Sequence, residues 1–226
     1  LKAILWVKIV TKTKNKMENS KIDAAIEYAT TLIGLPFRWY DPELDSFVGT
    51  DKFWCENSAA PSSDEIKEND KSIVCAGFPN LLRRKCGHSI PGLNGNIKGK
   101  FKELFKELPG GTGAWFRYLN QRKRLEKLDI KMKYPKGTLL LAKFKDNDND
   151  QGHCAVVYDD VLGENVNEQL IIHSSPDMLY TDRSKEKNHG SVKVEKFSIS
   201  NEEWRATKKK NYYTYVCRPE NWLGLD

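Results

Sequence analysis

Apolar side chains recur at Ile22, Ala25, Ile26, Ala29, Leu32 and Ile33, the three- and four-residue spacing that gathers one stripe on a helix. Ser20 and Asp23 stand as a capping box at its start and Gly34 as its stop, which predicts a first helix over residues 20–33. From Asp41 to Ser72 the chain is polar and turn-rich without a period, and reads as a long loop carrying Trp54 and Cys55. Phe78, Leu81 and Leu82 share a face of a second helix over 75–86, closed by Gly87. Pro79 is tolerated within its first turn, where backbone N–H groups have no helical partner. Phe101, Leu104, Phe105 and Leu108 predict a third helix over 98–108. After Pro109, Gly110 and Gly111 a fourth is expected from about 114 to 128.

From Thr138 onward the texture changes to strands, expected at 138–145, 153–161, 169–174, 191–197 and 212–218, with Ser200 and Glu203 opening a short helix before the last. Helices first and strands second predict a segregated α+β domain with the helices packed on a C-terminal antiparallel sheet. A length of 226 residues favours one domain over two, here 20–226, with residues 1–19 as an N-terminal extension. The apolar run Leu1–Val10 is too short to span a bilayer, so no membrane insertion is expected.

Charge changes this picture little. The net charge of +6 comes from lysines scattered along the chain, with denser runs at 8–16, 122–127 and 208–210 that read as solvated faces; a nucleic-acid partner is not expected. The five cysteines, Cys55, Cys75, Cys86, Cys154 and Cys217, are odd in number and follow no disulfide spacing. Unpaired thiols and no recognisable export signal imply a soluble protein, cytoplasmic or an effector or virion component rather than one secreted by a standard signal. With no C-x-x-C pair, neither a metal nor another cofactor is expected.

Three residues carry the candidate chemistry. Cys75 follows Ile73-Val74 and opens the second helix, where N–H groups and the macrodipole favour a thiolate, and Ala76-Gly77 leave room beside it. A nucleophilic thiol needs an imidazole held in the right tautomer by a third group. His153 begins the run Cys154-Ala155-Val156-Val157-Tyr158, and His173 lies near the end of Leu170-Ile171-Ile172-His173. If these runs pair as antiparallel neighbours through a turn at 163–167, the two rings come together. Cys154 is expected to point to the opposite face of its strand from His153.

Five segments in order resemble the NlpC superfamily of papain-like cysteine hydrolases, best known from cell-wall endopeptidases. Gly34-Leu35-Pro36-Phe37-Arg38-Trp39 is similar to its Gly-x-Pro-Tyr-x-Trp segment, and Cys75-Ala76-Gly77-Phe78 to its Cys-Ser-Gly-Leu motif. Tyr134-Pro135-Lys136-Gly137-Thr138-Leu139 resembles its Pro-Gly-Asp-Leu turn, the 152–158 run its Gly-His-Val-Gly-Ile-Tyr strand, and Ile172-His173-Ser174-Ser175 its Ile-His-Ala segment. The resemblance implies a papain-like NlpC fold and a Cys-His-His triad of Cys75, His153 and His173. It implies a peptidase or amidase acting through a thioester on a peptide, isopeptide or peptidoglycan-like substrate. Against that pattern, residues 88–132 stand as an insertion, Val74 replaces the usual Asp, and Phe37 replaces a Tyr, leaving the Cys75 N–H and Tyr40 as candidate oxyanion donors. Trp39, Tyr40 and Trp115 are candidate substrate-binding residues. The rivals are a catalytically inactive papain-like binding module and an acyltransferase or thioesterase acting on lipid acyl groups.

Overall fold

The computed structural model describes residues 20–37, 58–69, 72–95, 97, 109–144, 152–159, 163–176, 190–199 and 212–224. Helix α1 covers residues 20–31 and buries Ala25, Ile26 and Ala29 as its periodicity requires. Ser20 already lies inside the helix, so it does not serve as the cap expected of it. Gly34 takes φ +84, the left-handed conformation that a stop demands and a β-carbon resists. The chain turns there, leaving Leu32 buried and Ile33 exposed.

The expected loop before Cys75 contains a helix. Ser62 accepts from the Glu65 N–H while the Glu65 carboxylate accepts from the Ser62 N–H, a reciprocal cap that starts α2, Ser63–Glu68, and holds the Glu65 carboxyl below its ordinary range. One buried residue, Ile66, anchors it. Helix α3, Gly77–Lys85, carries Pro79 at its third position, where no intrahelical N–H is lost. Helix α4, Thr112–Gln121, is shorter than expected. It stops at Arg122, and Lys123 takes φ +54, after which the chain forms strand β1, Glu126–Lys127. Helix α5, Pro219–Trp222, closes the described chain with proline at its first position. The expected helices at 98–108 and after Ser200 lie outside the described residues.

The strands fall where alternation and β-branched runs placed them: β2, Leu139–Phe144; β3, Gly152–Asp159; β4, Leu170–Pro176; β5, Gly190–Lys196; β6, Tyr212–Cys217. They form a six-stranded antiparallel sheet in the order β1-β6-β2-β3-β4-β5. Among the described residues the architecture is therefore mixed helix and antiparallel sheet, the α+β class the pattern predicts.

One face of the sheet packs against the helices. Leu139, Leu141, Cys154, Val156, Ile172, Val192 and Cys217 join Ala25, Leu32, Phe78, Leu81, Trp115 and Trp222 in the main core. The other face carries a smaller cluster of Tyr134, Leu140, Ala142, Ala155, Val157, Ile171, Phe197 and Val216. Residues 88–132, expected as an insertion, supply Trp115, Tyr118 and Leu119 to the main core, so part of that segment is integral to the fold. Among the described residues no helix is long and apolar enough to cross a membrane.

Candidate functional site

Cys75 sits in the turn that leads into α3, with Ala76 as N-cap and the Phe78 N–H donating to the Val74 carbonyl at 3.1 Å. The segment before it is fixed on two sides. The Ile73 N–H donates to Pro36 O at 2.8 Å, Pro36 itself bridges to Ser191 of β5, and the Ser174 hydroxyl of β4 donates to the Ile73 carbonyl. Through these bonds the strands, not only the helix, position the thiol. The Phe37 N–H donates to Gly190 O at 2.9 Å, so the stretch after Gly34 runs as an added edge along β5.

The Cys75 thiol lies 3.9 Å from the carbonyl oxygen of Gly152, the residue immediately before His153. Gly152 admits no side chain: a β-carbon there would collide with the Ala142 carbonyl and stand 2.5 Å from Thr112 Cγ2. Cys75 is 3% exposed and His153 5%, so thiol and ring are both enclosed.

The two imidazoles meet as antiparallel pairing of β3 and β4 predicts. His153 Nε2 is 2.6 Å from His173 Nδ1, with the rings edge to face at 78°. On its far side His173 Nε2 stands 3.1 Å from Glu195 Oε1. Glu195 Oε2 lies 3.6 Å from Lys193 Nζ. Hydrogen bonding to His173, more than the nearby Lys193 charge, holds the Glu195 carboxyl below its ordinary range. Glu195 was not anticipated. The signal existed, since alternation along β5 puts Lys193 and Glu195 on one face, but only the β4–β5 register, His173 with Lys193 and Ile171 with Glu195, brings that face beside His173.

Searches of family models, curated proteins and solved structures return no match to this chain. The site therefore stands on its own geometry.

Strand alternation sets how thiol and ring can meet. His153 pairs with Ala142, and Ala142, Ala155, Val157 and Ile171 belong to the cluster on the face away from the helices; Cys154, as expected, faces the other way. His153, His173 and Glu195 thus stem from that outer face, whereas Cys75 belongs to the helix-side core. An approach of Sγ to the His153 ring has to run around the first residue of β3, where Gly152 carries no side chain.

The other expected site residues fare differently. Trp115 is fully buried, donates from Nε1 to Asn80 Oδ1 at 2.8 Å and packs edge-on against Trp222 at 5.6 Å. Its ring is enclosed by core and offers no face to a substrate. Trp39 and Tyr40, with the oxyanion role considered for Tyr40, lie outside the described residues, as do Trp54 and Cys55. His88 is half-buried. Among the described residues no group of three or more His, Cys, Asp or Glu side chains could hold a metal ion.

Burial distinguishes the remaining thiols. Desolvation pushes Cys217 up to about 12 and raises Cys86 as well, and Cys154 is fully buried.

Proposed function

We propose that the chain is a cysteine hydrolase of papain-like, NlpC type, cleaving a peptide or isopeptide amide with Cys75 as nucleophile, His153 as general base and His173 as the group that orients it. The observation that carries the reading is the 2.6 Å contact of His153 Nε2 with His173 Nδ1, at a strand start whose preceding carbonyl touches the Cys75 thiol. Acyl transfer to sulfur requires a nucleophile, a base within its reach and a third group holding the base; in support, the thiol lies against the start of the strand that bears His153, and His173 holds that ring.

In this mechanism His153 takes the thiol proton and the Cys75 thiolate attacks the scissile carbonyl carbon. The tetrahedral intermediate collapses with cleavage of the C–N bond, and the proton held by His153 goes to the departing amine. Water, deprotonated by His153, then attacks the thioester; the acid leaves and the thiol is restored. The Cys75 N–H, at a helix start whose first N–H groups have no intrahelical acceptor, supplies the positive dipole for the oxyanion.

A second reading, an inactive module that keeps the fold for binding, draws on two observations: the near-complete burial of Cys75 and the origin of thiol and imidazoles on opposite faces of the sheet. A panel of peptides and acyl-lipid thioesters, incubated with the wild type and with Cys75→Ala, separates the readings. The hydrolase reading expects turnover of peptide amides by the wild type alone, with a covalent acyl adduct on Cys75 seen by mass spectrometry. Turnover only of lipid thioesters would move the activity to the acyltransferase class, and no adduct with any substrate would favour the binding module.

A further inference from the structure

Two imidazole nitrogens 2.6 Å apart must share one proton: with none the lone pairs repel, and with two the hydrogens collide. Which ring carries it depends on what holds His173 from behind. Glu195 reaches His173 Nε2 with Oε1 at 3.1 Å, and an ionised carboxylate can only accept. The His173 side chain is fully buried, Glu195 keeps a third of its surface, and among the described residues the other charged group on this carboxylate is Lys193, 3.6 Å from Oε2.

We propose that Glu195 is a positioning residue that sets the direction of the imidazole relay by holding the proton of His173 on Nε2. A neutral His173 then presents an unprotonated Nδ1, which accepts from the Nε2–H of His153. That leaves Nδ1 of His153 as its basic nitrogen. Nδ1 is the ring nitrogen nearer the backbone, and the backbone carbonyl just before His153, that of Gly152, lies 3.9 Å from the Cys75 thiol. Reversing the relay would put the proton on the nitrogen meant to receive one. This consequence rests on the cysteine-hydrolase reading; the tautomer assignment rests on the three side chains alone.

Long-range ¹H–¹⁵N NMR of the full chain with ¹⁵N-histidine reads each ring's tautomer directly. The wild type is expected to show His173 protonated at Nε2 and His153 protonated at Nε2. Glu195→Ala is expected to mix the His173 tautomers, while Glu195→Gln, which keeps an acceptor oxygen, restores the wild-type pattern. In Glu195→Ala the alkylation of Cys75 near neutral pH should slow about tenfold, the effect of about one pKa unit. His173 protonated at Nδ1 in the wild type overturns the proposal without any variant, and so does an unchanged tautomer in a Glu195→Ala protein whose circular dichroism is native. A tautomer that follows Glu195, in a protein whose Cys75 labels no faster than an ordinary peptide thiol, upholds the positioning role and overturns the hydrolase reading instead.

Discussion

Gly152 is where sheet, helix layer and thiol converge, and the space for a β-carbon there is already taken by the Ala142 carbonyl and Thr112. Gly152→Ala must push the start of β3 or α4 aside, and overpacking of this kind costs about 1–3 kcal/mol. Urea denaturation should show that loss, together with slower labelling of Cys75 as its neighbour moves. The thiols themselves report on environment. Cys217, pushed up to about 12 by desolvation, and Cys86, raised by the same cause, should remain unlabelled by iodoacetamide at neutral pH over a time that modifies Cys75, with peptide mapping as the readout. Glu195 gives a pH signature of its own. Its carboxyl is held low, chiefly by His173, so its stabilising contribution is present above the ordinary glutamate value of about 4.3 and is lost as pH falls through the lower folded value. The melting-temperature difference between wild type and Glu195→Gln should therefore be present at neutral pH and vanish in stronger acid.

At the scale of elements, α3 is held by charge buried inside the protein as much as by its apolar stripe. Arg83 is fully buried and donates from Nε to Ser89 O at 2.5 Å, from one terminal nitrogen to the Trp222 carbonyl and from the other to the Tyr118 hydroxyl at 2.6 Å, tying α3 to α4 and to α5. Tyr118 lies between two guanidinium groups, Arg83 at 4.9 Å and Arg122 at 3.8 Å from its ring centroid. Arg83→Met leaves those acceptors buried without their donor and should cost about 2–4 kcal/mol in urea denaturation. Asn80, one turn from the start of α3, is satisfied at both ends, by Gly110 O at 2.9 Å and by Trp115 Nε1 at 2.8 Å. These long-range bonds explain what the sequence could not show. The period-two runs made five strands legible, and they also placed His153 near the start of β3 and His173 on the neighbouring β4, so that the meeting of the two rings could be read ahead. That Trp115 would serve the core rather than a groove depended on Asn80 and Trp222, which lie 35 and 107 positions away in the chain. Helix α2 was legible in principle from Ser62 and Glu65, yet its single buried residue leaves no apolar stripe to find.

For the whole molecule, the sheet order β1-β6-β2-β3-β4-β5 places β3 and β4, which bear the two histidines, inside the sheet and not on its edge. Both strands are paired on each side, which fixes the backbone that carries the two rings. The segment before α3, held through Pro36, Ile73 and Ser174 of β4, brings Cys75 to the start of β3. The proposed function needs these two layers to cooperate, a thiol before a helix and an imidazole pair on the sheet. The rate of Cys75 alkylation by iodoacetamide as a function of pH, in the wild type and in His153→Ala, measures that cooperation directly. With the proposed triad, Cys75 is expected to be alkylated at neutral pH much faster than an ordinary peptide thiol, with a loss of about tenfold or more when His153 is removed. A Cys75 that labels with the profile of an ordinary peptide thiol, unchanged by His153→Ala, would contradict it.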